Sequence, residues 1–333
     1  MAQGINKFIR TTAFVATAAL IAAFAQFPAA ARADTKPINE ADPKTPVTVA
    51  ADPLPTVQID GVAWTQRVIG NTVYVGGSFT TARPAGSAPG VNTVPRANLL
   101  AYDITTGNLI DSWAPTTNGD VLSIVPSPDN TKLYIGGSFT QMNGQIRNRI
   151  AAIDRATGTL INAFQPKPDA TVRAIIATND TIYMGGLLSA VGGVTRTRVA
   201  AVRASDGALL SWAPVAANGS VHSLAMSPDG SKVIIGGAFT TMNGSSNPGY
   251  GLAAVDPLTG ASLPFPANSL VRDAGANSAI TGLSSDADSL YVSGFVFGSG
   301  GNLEGVSRIN WSDLSVVWIE DCHGDTYQSF PKG

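Results

Sequence analysis

The chain has 333 residues, of which 44% are hydrophobic and only 13% are charged, and its formal net charge is −2. So small a charge gives no electrostatic basis for binding nucleic acid, and no run of Lys or Arg would hold an anionic membrane surface. The 35 glycines and the high apolar fraction indicate a turn-rich globular protein, neither disordered nor collagen-like.

Residues 1–33 have the pattern of a secretory signal peptide. Lys7 and Arg10 precede an uncharged apolar run, Ala13–Ala25, and Ala31-Arg32-Ala33 places small residues where signal peptidase requires them. The apolar run is too short to span a bilayer comfortably, and the same length argument disfavours a retained anchor or a buried helix. We predict cleavage after Ala33, a secreted or extracellular location, and no membrane insertion of the cleaved chain.

Residues 34–57 are predicted to form an extended linker. They lack an apolar period and contain five prolines, which fix φ and remove backbone donors, so the segment cannot join the middle of a sheet. The prolines are Pro37, Pro43, Pro46, Pro53 and Pro55.

Residues 58–333 are dominated by one repeated unit with a period near fifty residues. The unit contains short β-branched and aromatic runs rather than helical periodicity, and repeats of this length and type are typical of β-propeller blades. We predict an all-β propeller of four-stranded blades, with five full repeats plus the first strand of a sixth. The copies of the core are Val73–Thr80, Leu133–Thr140, Ile182–Ser189, Val233–Thr240 and Leu290–Phe297.

Paired glycines recur inside the second strand of the unit, as at Gly136-Gly137 and Gly236-Gly237. Glycine weakens a strand interior, so a close approach of neighbouring backbones or a bulge is one explanation and a phosphate-binding loop is another. A phosphate loop requires a glycine-rich turn that runs into a helix, whereas these glycines continue into strand residues. The pattern therefore favours close packing.

A second repeated feature is a D-x-x-T-G turn that is followed nine or ten residues later by an aromatic residue. Asp103 begins one copy, which ends at Trp113, and Asp154 and Asp256 begin others. Asp and Gly at these positions predict an Asx-type turn with glycine at positive φ. We expect the aromatic side chain to dock against the next blade.

Two families share these motifs. D-x-x-T-G-x-L…W resembles the docking motif of pyrroloquinoline-quinone-type propellers. The larger unit, VYVGGSFT…NG…R-x-R-x-A-A-x-D-x-x-T-G-x-L…W-x-P, is similar to the delta-60-type repeat propellers of secreted, mostly actinobacterial proteins, from about Val62 to the end of the chain. The second resemblance implies a cell-surface or secreted propeller, often joined to adhesion-type modules, without an established activity.

The first resemblance would imply a quinone-dependent oxidoreductase. That resemblance implies a ring of eight blades with a vicinal disulfide and calcium-binding carboxylates. This chain instead has a single cysteine, Cys322, and five full repeats. A turn motif on a shared fold carries no function by itself. We therefore predict no cofactor.

Arginine pairs precede the third strand of two repeats, at Arg147 with Arg149 and at Arg196 with Arg198. A spacing of two would place each pair on one face of a strand. The four guanidinium groups are candidates for binding an acidic glycan, while pairing with turn aspartates is the favoured alternative because both residue types repeat together.

The densest polar group lies near the C-terminus, at Cys322-His323-Gly324-Asp325. His222 and His323 are too far apart to form a metal-spacing motif, so we predict neither a metal site nor a catalytic group. His323 and Asp325 are candidates for ligand contacts, and the favoured alternative is a turn that enters a new blade with a cysteine awaiting a disulfide.

The sequence predicts a binding or scaffold module with a glycan or protein ligand, and the alternative is a secreted hydrolase, lyase or quinone-dependent enzyme. A cluster of unrepeated carboxylates or histidines in the central channel would favour the enzyme. Asp325–Phe330 repeats the position of an innermost strand, and nothing completes that blade. We therefore expect a longer parent chain with downstream modules, a partner for Cys322 in the missing part, and an open edge prone to association.

Overall fold

The computed structural model describes residues 55–321 and 324–331, and Cys322 and the predicted signal peptide lie outside them. Within these ranges the protein is all-β, with one single-turn 3-10 helix at Pro266–Ser269. The strands are β1 Gln58–Ile59, β2 Val62–Ile69, β3 Thr72–Ser78, β4 Thr81–Arg83, β5 Val94–Pro95, β6 Leu99–Asp103, β7 Val121–Pro126, β8 Lys132–Gly137, β9 Gln141–Met142, β10 Gln145–Ile146, β11 Ile150–Asp154, β12 Val172–Ala177, β13 Thr181–Gly186, β14 Ala190–Val191, β15 Val194–Thr195, β16 Val199–Arg203, β17 Ala216–Ala217, β18 Val221–Met226, β19 Val233–Gly237, β20 Thr241–Met242, β21 Leu252–Val255, β22 Ser262–Leu263, β23 Ser278–Ser285, β24 Ser289–Val296, β25 Gly305–Asn310 and β26 Val316–Asp321.

Each repeat forms one antiparallel sheet, which we call the first to fifth repeat sheets. Their strand orders are β2-β3-β6, β7-β8-β11, β12-β13-β16, β18-β19-β21-β22 and β23-β24-β25-β26. We call the first strand of each sheet its inner strand. The short remaining strands form small hairpins between second and third strands, or pair with the segment that leads into the next repeat. The prediction of an all-β fold is confirmed.

The predicted fourth strand is complete only in the fourth and fifth repeat sheets. In the other three it is reduced to a single bridge, such as that between Tyr102 and Leu109. The chain turns immediately afterwards, because the backbone N–H of Trp113 donates to the carbonyl of Ile110 at 3.1 Å. This turn ends the strand pairing after a single bridge and directs the Trp113 side chain toward the next sheet.

Neighbouring repeat sheets contact each other through their inner strands, β2 with β7, β7 with β12, β12 with β18 and β18 with β23. The first glycine of each pair makes this contact possible. A Cβ on Gly76 would lie 2.4 Å from Cγ1 of Val121, and one on Gly236 would lie 2.8 Å from Cγ2 of Ile280. Both distances are far below van der Waals contact, so the predicted close approach is confirmed.

The repeated turns form as predicted. The Asp103 carboxylate accepts the backbone N–H groups of Thr105 at 2.8 Å and Thr106 at 2.9 Å, and Gly107 has φ of 71°. The Trp113 side chain is 3% exposed, and its Nε1 donates to the carbonyl of Arg155 in the second repeat at 3.0 Å. The aromatic residue therefore docks against the next sheet.

The C-terminal segment Thr326–Phe330 lies along the fifth repeat sheet without forming a regular strand. The Thr281 hydroxyl donates to the carbonyl of Thr326 at 2.6 Å, and the hydroxyls of Ser293 and Ser329 are 3.1 Å apart. Ser293 occupies the register position that Gly236 has in the fourth sheet. Ser329 therefore lies where the next inner strand lies in the other sheets, but this segment contains no strand, so the first strand of a sixth blade stays a prediction.

The inner strand of the first sheet exposes apolar side chains. On the inner strand of the first sheet, Val62 is 46% and Val68 is 53% exposed, whereas the corresponding strands of the other sheets are mostly buried. No sheet in the described part of the chain closes on itself. The propeller therefore stays a prediction, as do the missing blade and the longer parent.

Candidate functional site

A cavity of about 820 Å³ lies between the inner strands of the five repeat sheets. Every inner strand contributes to its wall, and the C-terminal segment lines it beside the fifth sheet. The volume falls within the range of about 300–1,000 Å³ typical of small-molecule sites. It is the feature to which the repeats contribute jointly, and we regard it as the candidate site.

A β-bulge in each inner strand places one side chain on the cavity wall. The register shifts by one residue at the same point of all five hairpins, opposite the glycine pair in the first four and opposite Ser293-Gly294 in the fifth. The second glycine is needed there, because a Cβ on Gly137 would lie 1.9 Å from the carbonyl oxygen of Asp120. A bulge changes the direction of the unpaired side chain. The extra residues are Trp64, Leu122, Arg173, His222 and Thr281, all of which line the cavity.

The cavity carries positive charge without a carboxylate. Its lining residues in the described ranges include Arg67 and Arg173 and no Asp or Glu. Burial lowers the pKa of the Arg173 guanidinium from its usual value, but a guanidinium remains protonated at neutral pH. The cavity wall therefore attracts anions.

His222 lies beside Arg173 on the neighbouring inner strand. Burial, and secondarily the charge of Arg173, lowers the pKa of His222 to about 4. Its Nε2 is 2.7 Å from the Ser220 hydroxyl. The imidazole is therefore neutral at pH 7 and offers hydrogen bonding without charge.

Exposed aromatic side chains border the same cavity. Trp64 is 56% exposed, and Tyr327 and Phe330 of the C-terminal segment are 73% and 79% exposed. Large aromatic surfaces left open to solvent beside a cavity are characteristic of binding sites. The wall thus combines cations, neutral polar groups and aromatic faces.

The arginines predicted at the third strands lie elsewhere and have structural partners. The Arg147 guanidinium is buried and donates to the carbonyl of Ile146 at 2.6 Å and to the Asn162 side chain at 2.8 Å. Arg149 donates to the carbonyl of Ser138. Arg147 also borders a separate pocket of about 360 Å³ beside Lys167.

The second pair behaves similarly. Arg196 donates to the carbonyls of Thr195 at 2.8 Å and Leu210 at 2.7 Å, and Arg198 to that of Leu187 at 2.5 Å. The expectation of one shared strand face was wrong, because Arg198 has φ of 69°, Arg149 has φ of 64°, and both lie outside the strands.

The observed partners of these arginines differ from the predicted turn aspartates. Most are backbone carbonyls. The aspartates accept hydrogen bonds within their own turns. The first repeat differs, since Arg96 forms an ion pair with Asp111 at 3.1 Å. Asp111 lies beyond the turn that Asp103 begins, so even this carboxylate is not the one expected.

The C-terminal candidates are only partly described. Asp325 is exposed and does not line the cavity, while His323 lies outside the described residues. No group of three His, Cys, Asp or Glu side chains within residues 55–321 and 324–331 is arranged to hold a metal ion. The same part of the chain has no helix that is both long and apolar enough to cross a membrane.

Sequence reasoning missed the residues of the cavity wall, although the repeats contain a signal for them. In each inner strand one position varies widely, while the residue before it is Ala, Val or Ile and the residue after it is small, as at His222 between Val221 and Ser223. The five side chains at this position range from apolar through polar to cationic. Variation of this kind within a repeated frame indicates a position released from packing.

Neither a protein-family model nor a curated protein matches this chain. Its function is therefore inferred from the chemistry of the cavity.

Proposed function

We propose that the chain is an exported β-propeller that acts as a binding or scaffold module, with a glycan or protein as its ligand. The five repeat sheets would be its blades and the cavity its central channel. Support comes from the packing of consecutive inner strands and from their joint contribution to one cavity. The signal-peptide pattern and the resemblance to delta-60-type propellers support a location at the cell surface or in the medium.

One observation carries the proposal: the repeated scaffold brings its unrepeated side chains together in one cavity. Trp64, Arg173 and His222 come from three different repeats and line the same wall. Repeat proteins commonly keep their frame constant and vary the positions that face the ligand. The cavity therefore has the organisation of a recognition site.

The composition of the wall favours binding over catalysis. Glycoside hydrolysis usually requires two carboxyl groups on either side of the scissile bond. The described wall supplies a neutral histidine and cations, with no carboxylate. A secreted enzyme remains the alternative function, and it would need catalytic groups that these wall residues do not provide.

A glycan array tests the proposal when it is combined with a turnover assay on every glycan retained. We expect the purified exported chain to retain at least one glycan class and to return it unaltered. The variant His222→Ala, changed only on the cavity wall, should bind more weakly, and an exposed-site variant such as Thr131→Ala should bind normally. Conversion of a sugar or alcohol would establish the enzyme instead, and no retention of any glycan would contradict glycan binding.

A further inference from the structure

Two arginines of the cavity differ from all other arginines in the described ranges. The other ten each donate a hydrogen bond or form an ion pair, whereas Arg67 and Arg173 do neither. Both of these unpartnered guanidinium groups line the cavity. They come from the inner strands of the first and third repeats, so their presence in one site depends on the fold.

An unpartnered guanidinium is suited to one class of ligand group. It presents donors in a planar fork that matches a carboxylate or phosphate, and it is less strongly hydrated than an ammonium ion. The absence of a competing carboxylate from the described wall leaves both forks available to a ligand. The site is therefore prepared for a ligand with at least two anionic groups.

The remaining wall indicates what those groups are attached to. Trp64, Tyr327 and Phe330 offer aromatic faces on which the apolar face of a sugar ring can lie. Neutral His222 and the amides of Gln66 and Gln328, which also line the cavity, can hydrogen-bond to hydroxyls. At about 820 Å³ the cavity is large enough for several sugar residues rather than one.

We propose that the cavity binds a carboxylated oligosaccharide of the uronic acid type. Arg67 and Arg173 contact its carboxylates, and Trp64 contacts a sugar face. This assignment rests on the proposed function as a binding module and names its ligand class. The proposed ligand contacts are therefore Arg67 and Arg173, whose positions are not repeated, instead of the arginine pairs that precede the third strands.

Calorimetric titration with tri-galacturonate tests the assignment, and its fully methyl-esterified form is the matched neutral ligand. Arg173→Gln and Arg67→Gln each remove one charge from the wall. Arg203→Gln removes the same charge from the third repeat sheet outside the cavity, where the exposed side chain pairs with Asp206. Inorganic phosphate, titrated separately, distinguishes an anion site from a sugar site.

We expect Arg173→Gln to weaken tri-galacturonate binding at least tenfold, Arg67→Gln to weaken it severalfold, and Arg203→Gln to change it less than twofold. The ester should bind at least tenfold more weakly than the acid. Equal affinity for acid and ester, or an unchanged affinity in Arg173→Gln, would overturn the assignment. Phosphate binding that competes fully with the sugar acid and is equally strong would do the same.

Failure of this assignment can be told from failure of the proposed function. If the parent chain binds only neutral glycans and His222→Ala loses that binding, the chain is still a binding module, but its ligand is uncharged. A second readout is independent of affinity, since an anion bound beside Arg173 should raise the pKa of His222, followed by NMR of the ring protons. Binding of tri-galacturonate without movement of this pKa would place the ligand outside the cavity.

Discussion

At the scale of single residues, the two glycines of each pair have different roles. A Cβ on Gly137 would meet the carbonyl oxygen of Asp120 at 1.9 Å, whereas one on Gly136 would meet the ends of the Ile175 and Val172 side chains at 3.0 and 3.1 Å and a backbone carbonyl, that of Val172, only at 3.3 Å. Side-chain ends can shift by a few tenths of an ångström, but a backbone carbonyl within a hairpin cannot. The second glycine is therefore the less replaceable of the two.

We expect Gly137→Ala to lower the free energy of unfolding by about 2–4 kcal/mol, and Gly136→Ala by less than about 1.5 kcal/mol. Urea denaturation of both variants measures the difference, and Gly136→Ala is the control within the same strand. Equal losses in the two variants would contradict the different roles of the two glycines.

Asp273 is a fully buried carboxyl between the 3-10 helix and β23. Its Oδ1 accepts the backbone N–H groups of Asn302 at 2.8 Å and Leu303 at 3.0 Å. Its Oδ2 has no hydrogen-bond partner in the described part of the chain. Burial raises the pKa of Asp273 to about 7. The folded protein therefore holds this proton more tightly than the unfolded chain does.

The sign of the pH dependence follows from this difference. Between the unfolded pKa of 3.8 and the folded pKa of about 7, the folded state binds more protons. The stability that Asp273 contributes is thus complete below this window and is lost as pH rises through it. We expect the advantage of Asp273→Asn over the parent chain to grow by about 2–3 kcal/mol from pH 5 to pH 8. A constant difference across denaturation curves at these pH values would contradict the raised pKa.

At the scale of elements, the aromatic residue at the end of each of the first three repeats joins one sheet to the next. Trp113 packs edge-on against Tyr74 with ring centroids 5.1 Å apart, and Phe164 packs in the same way against Tyr134 at 5.3 Å. Trp113 also donates its indole N–H to the next sheet. Phe164 cannot do so, yet it is fully buried at the same position of its repeat. Packing therefore accounts for more of the contact than the hydrogen bond.

We expect Trp113→Ala to cost about 3–5 kcal/mol of unfolding free energy, and Trp113→Phe, which imitates the second repeat, only about 1–2 kcal/mol. Thermal or urea melts measure both. The prediction fails if the alanine variant is no less stable than the phenylalanine variant, or if acrylamide quenches Trp113 freely in the native protein.

The elements themselves could largely be predicted from the sequence. The first three strands of each repeat follow from β-branched runs separated by turn residues, and the Asx turns follow from D-x-x-T-G. The fourth strand was overestimated in three repeats, because the turn that delivers Trp113 to the next sheet competes with pairing beyond Leu109. Such competition depends on the neighbouring sheet, and the strand propensity of a local segment carries no information about that sheet.

At the scale of the whole molecule, the candidate site arises from the way in which the repeats pack. Arg147 and Arg196 were predicted as ligand contacts because they recur. Each donates a hydrogen bond to a backbone carbonyl of its own repeat, so the recurrence reflects a structural role. Arg173 does not recur at its position and lines the cavity. The sequence alone could not predict this site, because the residue that faces it is set by a bulge opposite the glycine pair.

The central claim is that inner strands from different repeats converge on one cavity. The pKa of His222, read by NMR in the parent chain and in Arg173→Gln, tests it most directly, because the two residues belong to different repeats. The account predicts a pKa of about 4, well below the ordinary 6.5, and a rise when the Arg173 charge is removed. An ordinary pKa that does not change in Arg173→Gln would show that the two strands do not share a wall and would contradict the account.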